Sequence, residues 1–474
     1  MAGLGLSQDE DGPPQANDLR LVAQSSNVGG IKAASWSPDG NWVLTSDYGG
    51  SVKIWEAASG FLILSVQADP VELTSASFSP DGHTILTSGS KTSPRLWNTF
   101  TGKLVRMLAG GPNSKCGFTA DGNIYEVSPS GGVTLFNSVG KAQPVSKSVV
   151  AQIVHMGPKN RMSSDGAKVL SIVNHVLAQQ DVGGKTKPLV FGTGIASASY
   201  SQEDAFVVAG GVDGSLRTYD AASGKLLQTF GPNPWPVTTA AYSPDEKRLL
   251  AAGPKGGAEI WDMASSKVVA LIPAMRASAG VSFSPDGANV MLAGGDGAEI
   301  WQSSGTHKVS DLVGDTPADH TLNFDLAGNR WTTSVNGKGR LWRLSDNQSL
   351  SASPTVGARR SPFPAGKLGL AHVLRSYRVN DHLGFVDLAD GSSRLYELKK
   401  GKLLCTVWVL KDGSFAVVDP ENRYDAPDDG HSGLLHWVRN GAAPMGLDQL
   451  RFAYYMPGLL MKILKGVKLP PIPK

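Results

Sequence analysis

The sequence predicts an all-β protein made by repeating one four-stranded antiparallel unit, and three observations predict it. A turn-like marker, S-P-D-G in its clearest form, recurs roughly every forty residues. In seven of its eight copies, an alternating strand carrying an aromatic residue follows the marker by eighteen or nineteen positions. Hydrophobic residues make up 41% and charged residues 18% of the 474, with 56 Gly and 29 Pro, which suits a core cut by many turns and leaves little room for long helices. Units of this length, packed face to face around an axis, make a β-propeller of four-stranded blades.

Taken in order, residues 1–17 are acidic and bear Pro and Gly, and are expected to form a disordered tail. LRLVAQ (Leu19 to Gln24) reads as a strand that completes the last sheet and latches the ring. The markers then run SWSPDG (Ser35 to Gly40), SFSPDG (Ser77 to Gly82), GFTADG (Gly117 to Gly122), RMSSDG (Arg161 to Gly166), SYSQED (Ser199 to Asp204), AYSPDE (Ala241 to Glu246), SFSPDG (Ser282 to Gly287) and NFDLAG (Asn323 to Gly328). Each reads as a turn between two apolar strands, and in the four that carry S-P-D, Pro fixes φ while Asp and the following residue make the reversal. The aromatic strands place Trp55, Trp97, Phe136, Tyr219, Trp261, Trp301 and Trp342 at the same blade position, and VLAQQD stands there in the degenerate fourth copy. Fixed position argues that these rings fill the space between sheets rather than bind a ligand.

With Trp261-Asp262 as a literal W-D pair, and Asp47, Asp213 and Asp296 in the following turns, residues 20 to 400 resemble the WD-repeat family. The resemblance implies a propeller used for protein binding. It departs from the family in lacking the Gly-His pair that opens such repeats, which implies an incomplete hydrogen-bonded tetrad in most blades. A ninth copy can be traced from Tyr377 to Tyr396, after the turn-rich insertion Ser345 to Lys367. The count is therefore eight blades, with seven and nine as alternatives, over residues 18–402, followed by a C-terminal segment over 403–474.

That segment is patterned differently. LLCTVWV and FAVV flank a Lys411-Asp412-Gly413 turn, and two short helices follow: MGLDQLRFAYY, with Leu447, Leu450 and Tyr454 on one side, and PGLLMKILKGV, with Leu459, Leu460, Ile463, Leu464 and Val467 on one face. Together with Tyr424-Asp425 and the Leu435-His436-Trp437 patch, these residues resemble a module that follows the propeller in bacterial WD-repeat proteins, many of which carry a caspase-like peptidase domain elsewhere. The resemblance covers no peptidase domain here. Two roles compete for the helices, covering a sheet edge or presenting an apolar face to a partner.

The reactive motifs of enzymes are absent: no G-x-S-x-G and no H-E-x-x-H occurs. Gly184-Lys185-Thr186 imitates part of a phosphate loop, but no following helix is predicted to aim amides at a phosphate, so a hairpin turn is the better reading. Asp425, Asp428, Asp429 and His431 form an acidic loop that a metal could occupy, against the plainer reading of Asp side chains bonding their own turn. Cys116 and Cys405 lack zinc-site spacing and read as buried thiols.

A formal net charge of +3, with both signs dispersed, excludes a clustered nucleic-acid-binding stripe. No cofactor and no metal are expected, and neither is membrane attachment. The sequence is read as a non-enzymatic scaffold of a bacterial cytoplasm that binds protein partners of unknown identity. Trp235, flanked by prolines, is the rim candidate; His436, Trp437, Leu447, Leu450, Tyr454, Leu459, Leu460, Ile463 and Leu464 are the candidates on the C-terminal segment. The rival readings are a small-molecule or hydrolytic site in the central channel, and a regulatory partner of a caspase-like peptidase supplied by another chain.

Overall fold

In the computed structural model the described residues are 19–472, apart from 120–121, 131, 138–139, 144–160, 164–167, 182–186, 255–256, 274–279, 296, 315–319, 326–329, 336–337, 344, 346–347, 354–372, 433 and 440–442. They form eight four-stranded antiparallel sheets, each a simple meander, then one six-stranded sheet and one two-stranded pair. In chain order the nine larger sheets span 31–67, 73–107, 115–143, 161–192, 195–230, 239–272, 280–313, 320–353 and 373–425. The all-β expectation holds, and among the described residues the helices are short and lie in the C-terminal segment.

The marker turns show why the repeat exists. In the first, Ser37 Oγ donates to Asp39 Oδ1 (2.6 Å) and accepts the amide of Trp42 (2.9 Å), while Gly40 takes φ +74°. Ser79 with Asp81, Ser243 with Asp245 and Ser284 with Asp286 repeat the bond. The Ser hydroxyl also holds the carboxyl groups of Asp81, Asp245 and Asp286 below the usual carboxylate range.

The prolines of these turns report the order of packing. A Cβ built on Gly82 would lie 3.7 Å from Pro38, and one on Gly287 would lie 3.2 Å from Pro244, so each Pro stands against the next sheet's turn. By the same measure, a Cβ on Gly40 in the first sheet would lie 3.3 Å from Pro285 in the seventh. Ile31 donates its amide to Gly295 across this junction, and Trp55, Leu62, Met291 and Ile300 share one buried cluster. The circuit therefore runs from the seventh sheet back to the first.

Eight four-stranded sheets match the number of markers, but the eighth lies outside this circuit. Its Trp331 and Trp342 pack on Phe415 of the six-stranded ninth sheet, at 4.4 and 4.9 Å between ring centroids. The expected boundary at 402/403 falls at the start of the ninth sheet's strand Lys402–Val409.

The N-terminal strand corrects another expectation. Arg20–Ala23 does not complete a blade; it pairs antiparallel with Leu435–Val438, in the register Leu21↔Trp437, Val22↔His436 and Ala23↔Leu435. The seventh sheet has no vacancy for it, because Lys308–Val313 already fills the outer position. The pair forms a clasp between two bodies, and strand alternation sorts its side chains. Leu21, Ala23, Leu435 and Trp437 face the ninth sheet, while Val22 and Val438 pack on the first.

Gln24, next along the chain, ties the clasp to the closure of the ring. Its Nε2 donates to the carbonyls of Gly60 (2.7 Å) and Val313 (3.2 Å), and its Oε1 accepts the Leu62 amide (2.8 Å). Gln24→Ala leaves those backbone groups unpaired and is expected to destabilise the protein by about 1–3 kcal/mol, read as a lower urea midpoint. An unchanged midpoint would remove Gln24 from the closure.

Candidate protein-interaction surface

The repeated aromatics are core. Trp55, Trp97 and Trp342 are buried, and each indole N–H donates to a threonine of the adjacent strand: Thr45 (2.8 Å), Thr87 (2.7 Å) and Thr333 (2.9 Å). The same Trp–Thr bond thus recurs in the first, second and eighth sheets. Trp261 and Trp301 are half-buried against neighbouring sheets.

The innermost strands use their small polar side chains to join one sheet to the next. Ser197 and Ser199 donate to the carbonyls of Val237 and Ala240, both at 2.9 Å, and Ser75 accepts the amide of Cys116 at 2.9 Å. These hydroxyls are therefore committed between blades.

Trp235 lies on the loop between the fifth and sixth sheets and is half-buried. Its ring covers the turn of the sixth sheet so closely that a Cβ on Gly253 would come within 2.2 Å of it. Its benzo edge also stands against Gly257, a Cβ there lying 3.2 Å from it, so the ring is braced on the sixth sheet and only partly exposed.

The C-terminal candidates divide into buried and accessible groups. Trp437 is 0% exposed, with its ring 4.6 Å from Tyr454 and 6.2 Å from Tyr424, and its backbone bridges to Met445. His436 points the other way, donating from Nε2 to Leu62 O at 2.8 Å and stacking 4.6 Å from Phe61. Burial pushes its pKa down to about 4, against the opposing pull of the Leu62 bond. Leu447 is buried beside Trp437, and Leu459 and Leu460 are buried against the eighth and ninth sheets. As the chain is folded, these five residues contact its own sheets, so a partner could reach them only after the segment detached. Leu450, Tyr454, Ile463 and Leu464 remain partly accessible.

The helices themselves are shorter than the sequence pattern predicts. Leu447–Leu450 is 3₁₀, Arg451–Tyr454 is one α-turn, and Leu459–Leu464 follows Gly458 at φ +69°. The Asp425 carboxylate accepts the Leu459 amide at 3.1 Å, fixing the start of the last helix. Asp425 is thereby a structural group, and His431 pairs with Asp448 at 3.4 Å. Among the described residues no three His, Cys, Asp or Glu side chains are placed to share a metal ion. The side chains of Asp428 and Asp429, the turn residue Asp296 and the Gly184-Lys185-Thr186 stretch lie outside the described residues. Both thiols are buried, and burial pushes Cys116 up to about 12 and Cys405 higher, so neither is poised as a nucleophile at neutral pH.

Three features escaped the sequence reading. Phe452 projects wholly into solvent, at 103% of reference exposure. Arg423 is buried in a pair with Asp419 (2.7 Å), a spacing of four across a tight turn that sequence pattern does not distinguish from surface charge. Lys53 is buried in the first sheet, bonded to Ser25 (2.9 Å) and Ser65 (3.2 Å); burial lowers its pKa, while Asp47 and Asp390 oppose that shift.

Fold and packing define a WD-repeat-type β-propeller with an appended two-sheet body and a clasped C-terminal cap. The family described as WD domain, G-beta repeat, matches residues 20–56 and 62–98. The first match takes in the clasp strand Arg20–Ala23 and three strands of the first sheet, so this strand carries the pattern of a blade's outer strand while pairing elsewhere. No curated protein matches the chain. Among the described residues no helix is long and apolar enough to cross a membrane.

Proposed function

We propose that the protein is a non-enzymatic scaffold of a bacterial cytoplasm, a rigid ring whose rim and C-terminal cap present contact surface to other proteins. The observation that carries this reading is Phe452, a large apolar side chain held fully in water on a cap whose neighbouring aromatics are packed inward. An exposed aromatic on an ordered support is the usual form of an interface anchor. Trp235, braced on one face at the rim, offers a second. The bonding of Ser75, Ser197 and Ser199 between blades favours this reading over a reactive channel, and two free buried thiols suit a reducing compartment.

The test compares proteins recovered from native lysate by the wild type, Phe452→Asp and Trp235→Ala, with circular dichroism as the check on folding. Loss of specific proteins from either variant is expected. Identical recovery by all three, or no specific recovery by the wild type, would overturn the reading.

A further inference from the structure

We infer that the cleft between the last helix and the ninth sheet binds a single-chain anionic amphiphile, an aliphatic chain ending in a negatively charged head. The cleft has a volume of about 630 Å³, within the ~300–1,000 Å³ typical of small-molecule sites. Its walls come from two sources. The hairpin ends of the ninth sheet supply Leu383 and Leu403, and the helix end and tail supply Ile463, Leu464, Val467 and Leu469. Ile463 and Leu464 are thus two of the apolar side chains that the sequence assigned to a partner.

The back of the cleft is fixed by polar contacts. Arg423, almost wholly buried, binds the Asp419 carboxylate at 2.7 Å, contacts Glu421, and donates to Pro470 O at 2.8 Å. This last bond holds the tail against the sheet, so the cleft is preformed. The one guanidinium bridges both acids on that wall and offsets one of their two charges, and Glu397 on the opposite lip pairs with Lys400 at 3.4 Å.

The lysines at the mouth have no such partners. Lys402 and Lys465 line the cleft, are exposed, and have no carboxylate within ion-pair distance among the described residues. Lys399 precedes Lys402 on its hairpin and Lys468 follows Lys465 on the tail, and no Asp or Glu occurs after Asp448. The remaining lip carries Asn380 and His382. Apolar walls under an unpaired cationic mouth suit a chain with an anionic head. A cationic head would meet uncompensated like charge.

The probe is dodecanoate below its micellar concentration, titrated calorimetrically into the full chain, with dodecyltrimethylammonium as the like-chain cation. Saturable dodecanoate binding is expected, weakened at least about tenfold in K402E/K465E, a pair of exposed positions whose exchange leaves the core untouched. Co-sedimentation with phosphatidylglycerol and phosphatidylcholine vesicles separates two sources of the head. Wild-type sedimentation on the anionic vesicles alone, lost in K402E/K465E, assigns a lipid; dodecanoate binding without sedimentation assigns a free carboxylate. Equal dodecanoate affinity in wild type and variant, equal binding of the cation, or no saturable binding would overturn the inference.

Discussion

Trp437→Ala is expected to lower stability by about 3–5 kcal/mol, the largest loss from any single side chain in the cap. The indole is sealed between Tyr424, Tyr454 and Leu447, and its strand is one half of the clasp. Removing it empties a site lined by rigid rings and backbone, which collapse poorly into the space. Urea unfolding followed by tryptophan fluorescence and circular dichroism checks this, with Phe452→Ala as the control that removes an equally large class of side chain from open solvent. Equal midpoints for the two variants would show that Trp437 does not hold the cap.

The second large effect is acid-induced. His436 is neutral in the folded protein because burial lowers its pKa from 6.5 to about 4, and its Nδ1 has no partner among the described residues to receive a bond from an added proton. Since the unfolded chain takes up the proton first, the stability contributed by the neutral ring is complete above about pH 6.5 and is lost as pH falls towards 4. A depression of this size corresponds to about 3 kcal/mol across that window. Unfolding midpoints measured from pH 7 to pH 4 should fall more steeply for the wild type than for His436→Gln. Parallel profiles would mean that another group controls acid sensitivity.

Much of the ring was legible because each blade carries its own local instructions. Ser37, Pro38, Asp39 and Gly40 are all needed in one turn, so the turn can be read without knowing its neighbours. The order of closure was not legible for the same reason. Pro285 has the same flanking residues as Pro38, and nothing in either segment says that one faces the second sheet and the other completes the circuit.

The cap shows the opposite limitation. Its apolar stripe could be read from spacing alone, but Leu459 and Leu460 would look identical facing a partner or the chain's own sheets, and Val467, read on the same face, lies beyond the helix end and is exposed. Arg20–Ala23 could be recognised as a strand, whereas its partner, Leu435–Val438, lies at the other end of the sequence, where no local pattern reports the pairing. Lys402 and Lys465 are likewise ordinary surface lysines until the tail bends back and brings them to one mouth.

The clasp also sets an order of events during synthesis. Arg20–Ala23 leaves the ribosome early, but its pairing strand emerges more than four hundred residues later, on the order of 20–80 s at ordinary elongation rates. Through that interval the strand's backbone edge and the side chains of Leu21 and Ala23 have no native cover, even if every blade of the ring has already folded behind them. Sealing the clasp therefore cannot precede synthesis of residues 435–438, and a nascent chain halted before residue 435 would still carry an open N-terminal strand.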